Sequence, residues 1–413
     1  MPLVVLRIGS MLWTFLLRAL AVVGHRRAKA RVAIRQEGQT RVLAHRGTPF
    51  MWFHVASLGE LEQAIPVMQA HRAVHPETPW LLTVYSPSAW HPIQAKGVSN
   101  VIQGWRKDDV LAVLPDDLPG TWRTWLGEVP IQALALAKYD LWPNLLVACR
   151  AARLPVHAFA AAPSGTGPNP TPSTPALWRL LTSISVQDGS SAEAFRRIGI
   201  SEGLHVDGDP RVERVLSRTA QPSAEWQTWA QSAAQVVVAG STWPEEERAL
   251  RGMDWHPQRR LVLVPHDVSE SHLADLDKQW EGGAIRASEW LSLDEASRDR
   301  WSVVVVDSTG MLFDLYRIGT VAVVGGGHGT GLHNVLEPAS AGLPIVTGPD
   351  LGAFREAHAL VALGALTAGD VADLTTAWLA DAASCRQFGA DGLAWLQSQQ
   401  GASERIVGRW DLR

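Results

Sequence analysis

Two stretches of this chain place reactive groups beside turns that could hold a substrate. The first is WFHVASLGE, Trp52 to Glu60: an apolar strand pattern, a turn containing Ser57 and Gly59, then a carboxylate at the start of a helix. A carboxylate there can take a proton from an attacking hydroxyl if desolvation raises its pKa toward the working pH. It can equally be a first-turn Glu that complements the helix dipole. The second is VVGGGHGTGLHNVLEPASAGLPIVTGP, Val323 to Pro349. An apolar run stops at Gly325, Gly326 and Gly327, Asn334 to Ser340 has helical character, and Leu343 to Val346 is strand-like again. That is one βαβ unit. Glycine lets backbone approach a ligand closely, and a helix N-terminus offers free N–H groups to a phosphate. Glu337, one helical turn after Asn334, could accept both hydroxyl protons of a ribose.

Three further segments carry chemical content. KYDLWPNLL follows an apolar strand; Lys138 could hold an anionic group, and Asn144 could bond a ligand or cap the turn. AGSTWPEEE is a strand, a small-residue turn through Gly240, Ser241 and Thr242, and an acidic first helical turn. Ser241 or Thr242 is the expected N-cap, and the N–H groups beside it could take a phosphate. Asp207 and Asp209 in DGD superficially match a metal-holding pattern, but oxygen sites need more convergent groups. His266 and His333 lie near the expected ligand loops with no partner at metal-ligand spacing, and neither reads as catalytic.

The elements that must position these groups alternate along the chain. Short apolar runs between helical stretches argue for parallel strands covered on both faces. About five or six such strands are expected in each half, with a change of domain near Gln221 to Ala234. The expected organisation is an N-terminal apolar and basic segment over 1–48, a Rossmann-like acceptor domain over 49–220 and a Rossmann-like nucleotide domain over 221–413, whose last helix packs back on the acceptor domain. Two such domains facing across a cleft bind ligands at the carboxyl ends of their strands. The glycine-rich unit places the nucleotide in the second half, so the base comes from the first.

Composition narrows the classes. At 413 residues with 46% hydrophobic and 19% charged side chains, the chain can bury real cores. A net charge of -4 makes no case for nucleic acid. Two cysteines, Cys149 and Cys385, exclude a disulfide framework and a cysteine zinc site. No GxGxxG follows the first strand and no GxxxxGK[ST] exists, which disfavours a nicotinamide dehydrogenase and a P-loop ATPase. Pro2 to Gly24 is apolar apart from Arg7 and Arg18, and its uninterrupted stretch, Ile8 to Leu17, is about half of a spanning helix. The following segment is basic, with Arg26, Arg27, Lys29, Arg31, Arg35 and Arg41 against Glu37. A helix lying on an anionic leaflet fits this pattern; a solvated helix packed on the first domain is the plainer reading.

In their order, these motifs resemble the 3-deoxy-D-manno-octulosonic acid (Kdo) transferases of lipopolysaccharide synthesis. The resemblance runs from the basic segment to about Leu363. It rests on HVASLGE, on LWPN at Leu141 to Asn144, on GDPRVERV at Gly208 to Val215, on GST at Gly240 to Thr242, and on the GG, HN, LEP and GP pairs within Gly325 to Pro349. It implies a GT-B glycosyltransferase at the cytoplasmic face of the bacterial inner membrane, with CMP-Kdo as donor, a lipid A precursor as acceptor, and neither a cofactor nor a metal. It carries the base onto Glu60 and the donor contacts onto Gly240, Ser241, Thr242, Gly325, Gly326, Gly327, Asn334 and Glu337. His266 stands where many members have an arginine, and a proline-rich loop at 164–175 replaces a serine-rich segment. Ser57, Gly59, Lys138 and Asn144 are expected on the acceptor side or in structural roles. The rival readings are a UDP-sugar enzyme or epimerase of the same fold and a catalytically silent membrane-docked binding protein.

Overall fold

The computed structural model describes residues 3–26, 28–34, 49–161, 175–219 and 221–410. Arg27, Arg35, Glu37 and Arg41 of the basic segment, and the proline-rich loop up to residue 174, lie outside them. The chain divides into two compact units, Met1–Arg214 with Gln399–Arg413, and Val215–Ser398.

The first unit is a parallel sheet of strands β1 (Phe50–Val55), β2 (Trp80–Val84), β3 (Val110–Val113), β4 (Ile131–Ala137), β5 (Val156–Ala161), β6 (Ser183–Val186) and β7 (Leu204–Val206). Their spatial order is β3-β2-β1-β4-β5-β6-β7. The apolar runs form strands because both faces are covered. Every residue of β1 is buried, with Met51, Phe53 and Val55 in one core and Phe50 and Trp52 in another. That alternation is the two-residue period of a strand.

Three helices of this unit bear on the site. Helix α1 (Leu3–Val22) lies near the N-terminus. Helix α2 (Leu58–Val74) follows β1 and is N-capped by Ser57. Helix α3 (Pro143–Ala151) follows β4 with Pro143 at its start, where the missing N–H of proline costs nothing.

The second unit has strands β8 (Gln235–Thr242), β9 (Arg259–Pro265), β10 (Ile285–Arg286), β11 (Val303–Val305), β12 (Val321–Val324), β13 (Ile345–Thr347) and β14 (Leu366–Ala368). They are parallel in the order β10-β11-β9-β8-β12-β13-β14. Helix α4 (Pro244–Arg251) follows β8, and the short α5 (Leu336–Ser340) lies between β12 and β13. Helix α6 (Ala402–Gly408) belongs to the first unit, where Ile406, Val407 and Trp410 join the core around Phe53.

Each sheet therefore has seven strands, more than the apolar runs suggest, because β10, β14 and β7 are only two or three residues long. Each also has a place where successive connections leave in opposite directions: between β1 and β4 in the first, between β8 and β12 in the second. The crevice at such a switch point is where open parallel sheets bind ligands.

Candidate active site

In the first unit, the switch point collects the Glu60 turn after β1 and the Lys138–Asp140 turn after β4. Glu60 is the third residue of α2. The Ser57 hydroxyl accepts from its N–H at 3.4 Å, and its own Oε2 accepts from the Ala56 N–H at 2.5 Å. Glu60 thus sits in the first turn of α2 and also ties back to the residue before the Ser57 cap. Glu60 is 5% exposed. Burial first, and then the neighbouring Asp140 charge, push its carboxyl up to about 7, against the opposing Ala56 N–H, His54 and Lys138. A carboxyl there exchanges protons near neutrality. Beside it, Gly59 is exposed, and a Cβ built there meets nothing within 4 Å. Glycine is thus not required by the fold at this position, and the outer side of the turn is open.

Lys138 lies immediately past β4 with φ +56°, the left-handed region, a cost that functional turns often carry. Asp140 accepts from His54 Nε2 at 2.7 Å and Trp142 Nε1 at 2.9 Å. Neither His54 nor Asp140 stands out in the sequence; only the pairing of β1 with β4 brings them together. Asn144 is 2% exposed, donates to the Asp117 backbone carbonyl at 2.9 Å, and accepts from Arg7 at 2.9 Å. Of its two expected roles the structural one is occupied.

In the second unit, the turns after β8, β9 and β12 sit side by side. The Gly325 N–H donates to the Gly240 carbonyl at 3.0 Å, and the His266 N–H to the Thr242 carbonyl at 3.0 Å. The glycines are needed by the protein's own backbone. A Cβ at Gly325 would lie 2.1 Å from the Ser241 carbonyl, one at Gly326 2.1 Å from the Gly331 carbonyl, and one at Gly327 2.6 Å from the Gly348 nitrogen. At Gly240 it would strike the Tyr316 hydroxyl at 2.2 Å. Ser241 has φ +52°.

The expected N-cap at Ser241 or Thr242 is not formed. The cap is Trp243, whose N–H donates to Glu246 at 2.9 Å. Pro244 at the first helical position shifts the start by one residue, and Thr242 donates to Glu247 instead, at 3.2 Å. Trp243 stacks on His266 at 4.6 Å, and His266 lies 4.7 Å from the His333 ring. His328 meets the buried Glu246 at 2.8 Å. Trp243, His328 and Tyr316 were not legible as neighbours, since they come from three separate elements.

Asn334 is exposed and its side chain accepts from the Leu336 N–H at 3.1 Å, so the helix starts at Leu336 rather than at Asn334. Glu337 is half-buried, with Arg218 3.9 Å away. The DGD aspartates are engaged within the protein: Asp207 with Ser185 at 2.7 Å and Asp209 with Arg211 at 2.6 Å. Among the described residues, no group of three or more His, Cys, Asp or Glu is placed to hold a metal ion.

Residues 26–214 match the family described as 3-Deoxy-D-manno-octulosonic-acid transferase (kdotransferase). The 3-deoxy-D-manno-octulosonic acid transferase of Haemophilus influenzae is 25% identical over 86% of this chain and 85% of its own. The chain is thus similar to the Kdo transferases, through the family match over residues 26–214 and through relatives that align over most of its length. A probable mitochondrial 3-deoxy-D-manno-octulosonic acid transferase of Arabidopsis thaliana is 27% identical over 74% of this chain and 70% of its own length. Among solved structures, a putative UDP-N-acetylglucosamine 2-epimerase of Listeria monocytogenes superimposes with a TM-score of 0.59 at 11% identity, over 88% of this chain and 94% of that one. MurG of Acinetobacter baumannii does so with a TM-score of 0.50 at 11% identity, over 87% and 98%. At such identities the likeness establishes the fold, which is GT-B.

Proposed function

We propose that this enzyme transfers Kdo from CMP-Kdo to a lipid A precursor, inverting the configuration at the anomeric carbon. The observation that carries the mechanism is Glu60: a buried carboxyl held near pH 7, at a strand exit, beside an open turn. Glu60 takes the proton from a sugar hydroxyl of the lipid as that oxygen attacks the anomeric carbon, and the bond to CMP breaks. The donor loops in this reading are Gly240, Ser241, Thr242 and His266, the turn Gly325–Gly327, and Asn334 with Glu337 for the ribose. Backbone N–H groups at these turns stabilise the leaving phosphate. Lys138, close to Glu60 in charge terms, suits an anionic group of either substrate.

The acceptor is a lipid, and α1 supports a membrane-facing reading. Arg7 donates to Asn144, Ser10 to Asp117 at 2.5 Å, and Arg18 pairs with Asp116. These contacts recur every three to eight residues along one side of the helix. Val4, Ile8, Leu12, Phe15 and Leu16 are exposed. The helix has twenty residues, long and apolar enough to span a membrane by length and composition alone. Its polar side is nevertheless held by the first unit along most of its length. We therefore read α1 as lying in the cytoplasmic leaflet of the inner membrane, apolar side down.

The test is turnover of freshly generated CMP-Kdo with a tetra-acylated lipid A precursor, read by mass spectrometry. Lipid heavier by one or more Kdo units supports donor, acceptor and reaction together. Binding of UDP in preference to CMP would favour the UDP-sugar reading instead.

A further inference from the structure

We propose that Asp140 is a positioning residue for Glu60: its carboxylate, fixed by His54 of β1 and by Trp142, places a negative charge beside the exit of β1, where Glu60 accepts from the Ala56 N–H at 2.5 Å. The inference rests on the reading of Glu60 as the proton acceptor.

The geometry begins with register. His54 of β1 pairs with Leu136 of β4, so the turn four residues past Leu136 returns beside the end of β1. His54 is fully buried in the middle of its sheet, and both ring nitrogens must find partners. Nδ1 lies 2.9 Å from the Thr83 hydroxyl and 3.0 Å from the Thr83 carbonyl. Nε2 faces Asp140 Oδ2 at 2.7 Å. A carboxylate only accepts, so Nε2 carries a proton in either charge state of the ring. In the neutral ring, Nδ1 then accepts from the Thr83 hydroxyl, which itself accepts from Trp52 Nε1 at 2.8 Å. The chain of donors runs Trp52, Thr83, His54, Asp140, and Trp142 Nε1 donates to the same Asp140 oxygen at 2.9 Å. Two donors on one oxygen hold the side chain in place.

Among the described residues, other charged and titratable groups also bear on this pair. Lys138 and His54 oppose the effect of Asp140 on Glu60. The Tyr139 hydroxyl is held up by burial, with Glu60 and Asp140 adding to it. Arg31, from the helical residues 28–34, feels Asp140 from beyond Tyr85. Its guanidinium lies 3.0 Å over the Tyr85 ring and donates to the Tyr85 carbonyl at 2.7 Å. Of these groups, only Asp140 places a negative charge where it strengthens Glu60. The competing explanation is that Asp140 only tethers the turn before α3.

The test reads Glu60 directly. In protein carrying 13C-labelled glutamate, Glu60→Gln identifies the Glu60 carboxyl resonance, and its titration is followed by NMR. Removing a like charge lowers a carboxyl's midpoint, so Asp140→Asn should lower it by about one pH unit. Asp140→Glu, which keeps the charge, should retain most of it. The acid limb of kcat/KM should move down in pH with the midpoint, and the plateau rate should fall because the base is weaker. A folded Asp140→Asn protein with an unshifted Glu60 midpoint overturns the proposal. Should that variant not fold, Asp140→Ser, which leaves an oxygen for His54 Nε2–H and Trp142, is read against the same outcomes. A midpoint that moves while the acid limb stays would uphold the coupling and overturn Glu60 as the base.

Discussion

At the scale of single residues, Glu60 is asked to do two things that conflict. As a helix cap it is best ionised, and as a buried group it is best neutral. Its folded carboxyl titrates at about 7 against an ordinary 4.5, so the folded protein binds a proton that the unfolded chain has already released between those values. Stability from this group is therefore full below about pH 4.5 and is lost as pH rises through 7, by at most roughly 3 kcal/mol. Glu60→Gln keeps an oxygen for the Ala56 N–H and never ionises. It should raise Tm at pH 8, leave Tm at pH 4.5 unchanged, and lower kcat by about 10²-fold or more with CMP affinity retained. Thermal melts at the two pH values and single-turnover assays check both halves; a variant with full rate would sink the base assignment. The two kinds of glycine separate in the same way. Gly325→Ala drives a Cβ into the Ser241 carbonyl and should lose both stability and CMP binding. Gly59→Ala meets nothing, so Tm should hold while any effect appears in the KM for the lipid. Glu60 stood out as a candidate because an apolar strand, a turn with Ser57 and Gly59 and a carboxylate at a helix start follow one another in the sequence. Asp140 and His54 were not, because their meeting depends on which strands are neighbours.

At the scale of elements, the strands were legible wherever an apolar run of four or more residues was buried on both faces. They were not where two or three residues sufficed, as in β10 and β14, since a run that short has no periodicity to read. Helix α1 shows a different limit. Arg7 and Arg18 look in the sequence like interruptions of an apolar span, whereas in the fold they are the two ends of its docked side, with Ser10 and the buried Thr14 between them. Asp117 is the hub of that contact. It accepts from Ser10, from Trp122 Nε1 at 2.6 Å, and from the Leu145 N–H at 2.8 Å, which makes it a remote cap for α3. Asp117→Ala strands several buried donors and should cost at least about 2 kcal/mol in urea unfolding. Leu12→Asp with Phe15→Asp, on the exposed side, should leave that unfolding curve in place and abolish flotation with anionic phospholipid vesicles. If the double variant still floats, α1 is not the membrane contact.

At the scale of the whole molecule, the two units are unequal in how they are written along the chain. The second is one continuous stretch, Val215–Ser398, with its own seven-stranded sheet and every proposed donor loop. The first is closed by residues 399–413, which come from the far end of the sequence. Ile406 and Val407 pack into the core around Phe53, and Trp410 lies 6.0 Å from the Phe53 ring and stacks on His157 at 5.4 Å. Arg405 donates to the Asp207 carbonyl at 2.9 Å, and Glu213 accepts from the Ala402 N–H at 2.6 Å. Removing one buried tryptophan alone costs about 3–5 kcal/mol, a large part of the roughly 5–15 kcal/mol that keeps a domain folded. Truncation after Ser398 should therefore remove or sharply lower the melting transition of the first unit. The second unit keeps its sheet, so CMP titrated into the truncated protein should bind with nearly unchanged affinity while transfer is lost. Calorimetry paired with that titration tests the division of labour. Loss of CMP binding together with the first transition would mean that the donor loops depend on the first unit, and the assignment of the nucleotide to the second unit alone would fall.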